Sequence, residues 1–528
     1  MNKAVSLSLL VLLLLPLAAC AAPTVPATGA PTPTEPPARQ TQTAFEAQFL
    51  ASVEQRRNAI LASPTTITVT GTAYFVSNTG DDGNDGRSQA TAWASLDRVD
   101  HASLAPGDGV FFQRGGLWRG QLVARKGVTY SAYGEGKKPA IYGSPEDAAD
   151  PSRWSLLDGT TNIWVYFQKL PDVGALVFDD GKQWTTKALP SFADGKYVLR
   201  DNHQAVFDVK TGLTHDLELF SEVDKFLVDG APYRPGTEDD SDNSGRLYLR
   251  CDEGNPGAVF KSIEILVRTT VIVPADQTTF DNLSIKYTGG HALYTWGNRV
   301  TVQNCEFGWI GGSIQYYDPN TNDPIRFGNA VESDGSYDGY KVLNNYIYQV
   351  YDAGASNQES DPDHTYVSLA QNITYAGNLI EYCTYGIEIF LNTGAPDVNQ
   401  HMLKNLLVDD NYILYSGYGW GNQRPDINTA SSIQMWDDPN PAEDFVIQNN
   451  VFYLSTNTLI RSGAEAQWQP KLSGNTYAQG PRGLLGGWRP LDGYAIRWYP
   501  IVGPDMAGIL HDVFRDETGI VIFLPGAG

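Results

Sequence analysis

One phrase recurs seven times between Asp281 and Tyr477: Asn282-Leu-Ser-Ile285, Asn304-Cys-Glu-Phe307, Asn344-Asn-Tyr-Ile347, Gly377-Asn-Leu-Ile380, Asp410-Asn-Tyr-Ile413, Asn449-Asn-Val-Phe452 and Gly474-Asn-Thr-Tyr477. Each copy begins with Asn, Gly or Asp and ends, three residues later, on an apolar residue. The copies lie 22 to 40 residues apart, and a unit of that size indicates a solenoid. The surrounding segments are β-branched and aromatic runs bounded by turn residues, so each coil is predicted to consist of short strands rather than helices.

A second phrase follows the first in four coils and consists of a small residue, an apolar residue and an outward residue. It occurs as Ala292-Leu-Tyr294, Ala330-Val-Glu332, Gly386-Ile-Glu388 and Ser432-Ile-Gln434. Alternation along a strand directs the middle residue into the core and the third residue outward. Coils stack about 4.8 Å apart, so equivalent residues should form ladders, and buried Asn ladders are expected to satisfy the backbone at the turns.

Together these phrases resemble the right-handed parallel β-helix of the pectate-lyase-like superfamily, over about residues 72 to 480. The resemblance implies an all-β solenoid. Most secreted members of that superfamily act on polysaccharides as lyases, hydrolases or epimerases, while others are adhesins or phage spikes. The turn motif is specific for the fold and says little about chemistry.

The N-terminal region is predicted to export and anchor the chain. Residues 1–20 contain Lys3, an apolar run and then Leu17-Ala-Ala-Cys20. This resembles a bacterial lipoprotein signal peptide, in which Cys20 would carry the lipid, and the apolar run is short for a membrane span. Residues 21–42 form a Pro/Thr-rich tether. We therefore expect a lipid-anchored protein of the bacterial cell envelope, facing the outside or the periplasm.

The rest of the chain divides by composition. Residues 43–71 should begin with an amphipathic helix, because Thr43-Ala-Phe-Glu46 fits a capping box, and the helix is expected to cover an open end of the solenoid. We predict the first coils at 72–143, an inserted antiparallel β domain at 144–262, the main β-helix at 263–480 and a C-terminal cap at 481–528. The Asp81–Gly86 cluster is predicted to form a turn, because it lacks the spacing of an EF-hand.

Composition restricts the partners. The chain has 60 acidic and 37 basic residues and a formal net charge of −23, which argues against nucleic acid and against a purely electrostatic hold on anionic lipid. Cys251, Cys305 and Cys383 have no paired spacing, so buried thiols are predicted rather than disulfides or a metal site. No metal or other cofactor is predicted for the site, and we expect a monomer.

Three acids are predicted to share one face. The second phrase aligns Tyr294, Glu332, Glu388 and Gln434 at one outward position, and Asp352 belongs to the coil between the two Glu residues. Glu332 and Glu388 should then lie two coils apart, about 9–10 Å along the axis. Glycosidic cleavage uses one protonated and one ionised carboxyl group. A pair on adjacent coils suits retention and the outer Glu pair suits inversion, while the alternative is that all three acids are merely solvated.

Two long coils are predicted to supply substrate-binding side chains beside these acids. Aromatic rings offer apolar faces to sugars, and Arg side chains can bind hydroxyl groups or a uronate carboxylate. The predicted binding residues are Arg326, Trp420, Gln423, Arg424, Gln434, Trp436 and Tyr294. Alternatively, Trp420 packs at the base of its loop and Arg424 pairs with Asp426.

Three functions remain open at this stage. An extracytoplasmic glycoside hydrolase acting on a polysaccharide or oligosaccharide in a groove on the β-helix face needs only the acid pair, and it is the preferred interpretation. A polysaccharide lyase would neutralise a uronate by Ca²⁺ or Arg and remove a proton with a base such as Lys or Arg. A non-catalytic glycan-binding surface protein needs neither, because the fold alone demands no chemistry.

Overall fold

The structure is a computed structural model that describes residues 37–223, 244–318, 320–360, 368–392, 401–424, 429–436, 441–489, 495–501 and 506–525. The proposed signal peptide with Cys20 and the first part of the tether lie outside these residues, as does Asp426, the alternative partner of Arg424. Within the described ranges, no helix combines the length and the apolar character that a membrane crossing requires.

Three sheets of ten strands each form the walls of a solenoid. Successive coils place their strands side by side in parallel register, and the last pair of sheet 3 is antiparallel. Sheet 1 contains Ala73–Val76, Gly109–Gln113, Thr129–Tyr133, Thr279–Asp281, Val300–Gln303, Tyr337–Leu343, Ser368–Ala376, His401–Asp409, Ala442–Gln448 and Lys471–Ser473. Sheet 2 contains Leu117–Arg119, Ala140–Tyr142, Ser284–Thr288, Glu306–Ile310, Tyr346–Val350, Leu379–Glu381, Tyr412–Ser416, Val451–Ser455, Thr476–Gln479 and Ile520–Phe523. Sheet 3 contains Leu122–Val123, Ile272–Val273, Leu293–Thr295, Val331–Asp334, Ala353–Ser360, Tyr385–Asn392, Ser431–Met435, Thr458–Ser462, Leu484–Trp488 and Arg497–Pro500. The chain passes through sheets 1, 2 and 3 in turn, so the predicted parallel β-helix is confirmed.

The helical segments are few and mostly short. The α-helices are Pro37–Leu61, here called α1, and Leu96–Asp100, Val209–Gly212, Pro256–Val259 and Met506–Ile509. The 3₁₀ turns are Gln89–Thr91, Pro151–Arg153, Asp179–Gly181, Trp420–Gln423 and Ala466–Trp468, and a π-helical turn covers Leu510–Phe514.

Ladders of apolar side chains fill the interior of the solenoid. In sheet 3, Leu293, Val331, Ala355, Ile387 and Ile433 pair in register and are completely buried. Full burial of a Leu, Ile or Val side chain stabilises the fold by about 1.5–3 kcal/mol. A slip of one residue would expose the whole ladder, so this core fixes which residues face outward.

The repeated turn phrase has two structural roles. Its first residue adopts the left-handed conformation, with φ of +53° at Asn344, +69° at Gly377 and +51° at Asp410. Asn, Asp and Gly tolerate this conformation better than other residues, which explains the choice at that position. In the last five of the seven copies the second residue is a buried Asn, so the predicted Asn ladder is confirmed there, one position later than the residue that opens the phrase.

The buried Asn side chains are linked from coil to coil. Asn378 Oδ1 accepts the backbone N–H of Asn345 at 2.9 Å and its Nδ2 at 3.1 Å. Asn378 Nδ2 donates to Asn411 Oδ1 at 2.9 Å and to the Val342 carbonyl at 2.8 Å. The same pattern continues through Asn411, Asn450 and Asn475. Each Asn side chain therefore hydrogen-bonds to backbone groups at a turn, where strand pairing does not provide partners.

Replacing Asn378 by Ala is expected to destabilise the solenoid by about 3 kcal/mol, because buried donors on Asn345 and acceptors on Asn411 lose their partners. Urea unfolding followed by circular dichroism measures this change. The control is Lys404→Ala, which removes an exposed ion pair to Glu443 and should shift the stability by less than about 0.5 kcal/mol. Equal midpoints for the two variants would contradict a stabilising role of the ladder.

An antiparallel β domain interrupts the early coils, as predicted. Its strands are Trp154–Leu156, Ile163–Tyr166, Val173–Phe178, Gln183–Trp184, Thr186–Lys187, Ser191–Ala193, Lys196–Leu199, Asn202–Val206, Glu218–Ser221, Leu247–Arg250 and Ile263–Val267. They form sheets of five, three and three strands, paired antiparallel except where Thr186–Lys187 meets Glu218–Ser221. The domain has its own core, which includes Trp154, Leu176, Leu219 and Leu249.

Helix α1 packs along the outer face of sheet 2, whereas the sequence suggested that it would cover an end. Glu46 accepts a hydrogen bond from the Tyr453 hydroxyl at 3.1 Å, and Arg57 pairs with Glu381 at 2.8 Å. Ser63, two residues after the helix, hydrogen-bonds to Asn282. These contacts belong to progressively earlier coils, so α1 runs from the C-terminal end of the solenoid toward its N-terminal end.

Candidate active site

Strand pairing in sheet 3 confirms the predicted register of the acids. Tyr294 pairs with Glu332, Glu332 with Ser356, Ser356 with Glu388 and Glu388 with Gln434. All five side chains alternate with the buried core ladder and therefore point outward. Glu332 and Glu388 lie two strands apart, with a serine between them.

Glu388 is buried and surrounded by donors. Its Oε1 accepts the indole N–H of Trp436 at 2.7 Å, and its Oε2 accepts Gln358 Nε2 at 3.0 Å. The pKa of Glu388 is raised to about 8, chiefly because the carboxyl group is buried and then because Asp352 is negatively charged. The hydrogen bond from Trp436 acts in the opposite direction, and the charge of Glu332 adds to the increase. The direction of this pKa shift favours the protonated form of Glu388 at neutral pH.

Glu332 has different neighbours on the same face. Asn329 Nδ2 donates to Glu332 Oε2 at 2.7 Å, and His291 Nδ1 lies 2.8 Å from the same oxygen. The His291 ring stacks on Tyr294, with centroids 5.0 Å apart. Glu332 is thus held by two polar partners, whereas Glu388 sits beside another carboxylate. Contrasting surroundings can push the pKa values of two carboxyl groups apart, so that one acts as an acid and the other as a base.

Asp352 lies immediately before the strand Ala353–Ser360, on the coil between the two Glu residues. Its Oδ1 is 2.5 Å from Arg424 Nη1. The Arg424 guanidinium lies over the rings of Tyr351 and Tyr385, 5.3 and 5.4 Å from their centroids. The structure therefore joins the predicted acid Asp352 to the predicted binding residue Arg424.

Two predicted binding residues hold the inserted domain against the solenoid. Arg326 donates to the carbonyls of Gly312 and Gly174 and to the side chain of Gln423. Gln423 also donates to the Thr185 carbonyl. These bonds fasten the inserted domain to the solenoid and leave Arg326 buried. The inserted backbone engages polar groups of both side chains, and substrate binding by Arg326 and Gln423 stays a prediction.

Trp420 and Gln434 are out of reach of a substrate. Trp420 is fully buried, and its indole N–H donates to the Gln349 carbonyl, so the alternative that it packs at the base of its loop is confirmed. Gln434 is fully buried and accepts a hydrogen bond from Ser431. For both residues the predicted substrate-binding role is wrong, because solvent does not reach their side chains.

A second outward row, which the sequence pattern did not predict, lies two residues further along the strands. Its members are Trp296, Asp334, Gln358, Phe390 and Trp436. Trp296 is 42% exposed, and the Tyr294 hydroxyl donates to Asp334 Oδ2 at 2.7 Å. The sequence could have predicted this row, because residues i and i+2 of a strand share a face. His291 and Asn329 precede the strands, so no periodic pattern marks them.

The Asp81–Gly86 cluster forms the predicted turn. Asp82 accepts the backbone N–H groups of Ala94 and Ser95, and Asp85 accepts that of Arg87. In the ranges that the structure describes, no group of three or more His, Cys, Asp or Glu residues is arranged to hold a metal ion.

A buried ion pair stabilises the inserted domain where it contacts the solenoid. Lys187 Nζ lies 2.6 Å from Asp172 Oδ2, and both side chains are at most 2% exposed. The same carboxylate accepts the backbone N–H of Ile314 at 2.6 Å, and residue 314 belongs to the hairpin of Ser313–Tyr317 and Pro324–Phe327. Asp172 therefore connects the domain to the solenoid.

Replacing Lys187 by Met is expected to cost about 3 kcal/mol, because it leaves the Asp172 carboxylate buried without its cation. The docking of the inserted domain should loosen first, so limited proteolysis would cut between residues 144 and 262 before the coils. Lys182→Met, at an exposed position of the same domain, is the matched control. Identical cleavage rates for both variants would contradict this role of the ion pair.

Comparisons with known proteins identify no family. No protein-family profile matches the chain, and no curated protein matches its sequence. Solved structures with some similarity include XylC in complex with xylose, with 11% identity over 86% of this chain and 76% of that one and a TM-score of 0.40. A lacto-N-biosidase of glycoside hydrolase family 136 from Eubacterium ramulus has 12% identity over 91% and 71%, with a TM-score of 0.36. A rhamnogalacturonan lyase has 10% identity over 78% and 75%, with a TM-score of 0.29. At these values no functional conclusion rests on the similarity.

Proposed function

We propose that the protein is a glycoside hydrolase that cleaves a polysaccharide or oligosaccharide on the outer face of sheet 3. The supporting observation is the pair Glu332 and Glu388, which occupies one outward position two coils apart in contrasting environments. A glycosidase requires one protonated carboxyl group and one that is ionised. Lipidation at Cys20 and export to the cell envelope belong to the same proposal, because the N-terminal motif supports them.

In this mechanism Glu388 is the general acid. Its raised pKa keeps the proton in place at neutral pH, and the proton passes to the glycosidic oxygen as the bond to the sugar breaks. Trp436 and Gln358 hold the two carboxyl oxygens, so the acid stays aimed in one direction. The negative charge of Asp352 would also stabilise the positive charge that develops on the sugar ring.

Glu332 is the general base. Its carboxylate would take a proton from a water molecule that attacks the opposite face of the sugar. It lies two strand spacings from Glu388, which corresponds to about 9–10 Å between backbones. That distance leaves room for the water, so the products should have inverted anomeric configuration. The exposed ring of Trp296 and the half-buried ring of Trp436 are suited to stacking against the neighbouring sugars.

A panel of polysaccharides tests this function. Reducing ends should appear without a rise in ultraviolet absorbance, and proton NMR of the first products should show inversion. Absorbance of an unsaturated uronate would show that the protein is a lyase rather than a hydrolase. Binding to a glycan without any product would show that the protein is a non-catalytic glycan-binding surface protein.

A further inference from the structure

His291 lies beside the proposed base, in the connection that precedes the strand Leu293–Thr295. Two aromatic side chains hold its ring: Tyr294 stacks on it with centroids 5.0 Å apart, and Phe327 meets it edge-on at the same distance. The side chain is only 7% exposed. Packing therefore fixes the orientation of the ring, and this orientation brings Nδ1 to within 2.8 Å of Glu332.

Both polar partners of Glu332 act on the same carboxyl oxygen. His291 Nδ1 lies next to Oε2, and Asn329 Nδ2 donates to that atom at 2.7 Å. The Asn329 amide has a defined orientation, because its Oδ1 accepts the backbone N–H of Ala353 at 2.7 Å. Within the described part of the chain no hydrogen bond reaches Glu332 Oε1. Oε1 is therefore the oxygen that a water molecule can approach.

The contact between His291 and Glu332 admits two positions of one proton. In the first, Nδ1 carries the proton and donates to an ionised Glu332. In the second, Nδ1 is bare and accepts from a protonated Glu332 and from the backbone N–H of Asn329, which lies 3.1 Å away. Only the first leaves Glu332 ionised, as a base must be. It also contains the stronger bond, since a hydrogen bond to a carboxylate is about twice as strong as one between neutral groups.

We propose that His291 is a positioning residue for Glu332: its neutral ring carries the proton on Nδ1, donates to Oε2 and so keeps Oε1 directed at the attacking water. This inference rests on the proposed function, because it takes Glu332 as the base. The water proton passes to Oε1 while the water oxygen bonds to the anomeric carbon, and Glu388 gives its proton to the leaving oxygen. His291 neither gains nor loses a proton in this step.

Two substitutions of His291 test the role of the Nδ1 donor. His291→Leu removes the donor, and His291→Asn keeps an N–H group near the same place. His291→Leu should lower kcat by about 10- to 100-fold with little change in KM, since a displacement of about 1 Å at a reacting group can cost 100-fold. His291→Asn should recover most of the lost rate. A base acts whatever the leaving group, so the loss should be equal on a polysaccharide and on a nitrophenyl glycoside.

The matched control is His101→Leu, at a histidine whose side chain is 76% exposed, and it should keep the rate of the unmodified protein. Thermal unfolding identifies the temperatures at which each variant is folded. Full kcat in His291→Leu, or an equal loss of kcat in His291→Leu and His291→Asn, would overturn the inference and leave the hydrolase function in place. Absence of any cleaved glycan would instead refute the function.

Nitrogen NMR locates the proton without any substrate. Protonated and bare ring nitrogens have well-separated ¹⁵N shifts, and the chain has seven histidines, so the signals missing from His291→Asn identify His291. At about pH 9, well above the ordinary pKa of histidine, we expect a protonated Nδ1 and a bare Nε2. A bare Nδ1 would overturn the inference whether or not a substrate is known, because His291 would then have no proton to donate to Glu332.

Discussion

The Glu388→Gln variant is expected to hydrolyse its polysaccharide at least about 10³-fold more slowly than the unmodified protein, because Gln cannot donate a proton to the leaving oxygen. The loss should be much smaller for a nitrophenyl glycoside of the same sugar, whose leaving group departs without protonation. Glu332→Gln should slow both substrates alike, since the attacking water needs its base in each case. Initial rates on the two substrates separate the roles of the two acids.

The matched control is Glu381→Gln, another buried carboxylate, which lies on sheet 2 and pairs with Arg57. It should retain its activity at temperatures where it remains folded. Full activity of Glu388→Gln on the polysaccharide would refute the proposed mechanism. An equal loss of activity on both substrates would show that Glu388 is not the general acid and acts only as a positioning residue.

The stability of the protein is expected to fall between about pH 4.5 and pH 8 through the titration of Glu388, by an amount on the order of 5 kcal/mol. The folded pKa is raised above the unfolded one, so the native state binds more protons across this interval. The stabilising effect of the proton is therefore complete at low pH and disappears as pH rises through about 8. Activity should decline over the same upper limb, because the acid loses its proton.

Urea unfolding of the unmodified protein and of Glu388→Gln, at half-unit steps of pH, measures this effect. The difference between the two curves cancels the other titrating groups. Gln accepts on one oxygen only, so it does not reproduce the hydrogen bonds from both Trp436 and Gln358, and the informative quantity is the slope rather than the offset. A difference that stays constant from pH 4.5 to 8 would show that Glu388 titrates normally.

The fold could be predicted because its information is local and repeated. The alternation in Val331-Glu332 and Ile387-Glu388 gave the register of sheet 3, and register decides which acids share a face. The turn phrase predicted the coil boundaries. It did not show that the first residue of the phrase forms the left-handed turn and that the second residue forms the Asn ladder.

The site was predictable only where it follows the strands. Arg326, Trp420, Gln423 and Gln434 have the right residue types for sugar binding, but their roles depend on what the inserted domain and the loops pack against them. For Arg326 and Gln423 these contacts reach positions more than a hundred residues away, such as Gly174 and Thr185, and no spacing in the sequence records them. His291 and Asn329 were missed because they precede the strands, where no periodic pattern marks them.

The buried amide ladder of the solenoid ends at a carboxylate. The amide ladder passes from Asn345 to Asn475, and the last amide donates to Asp516 Oδ2 at 2.9 Å. A carboxylate accepts hydrogen bonds but has no N–H to donate, so the series that runs from Asn345 to Asn475 ends there. Asn at position 516 would restore a donor facing outward, and the end of the molecule would then offer a template for a further coil, or for the first coil of another molecule.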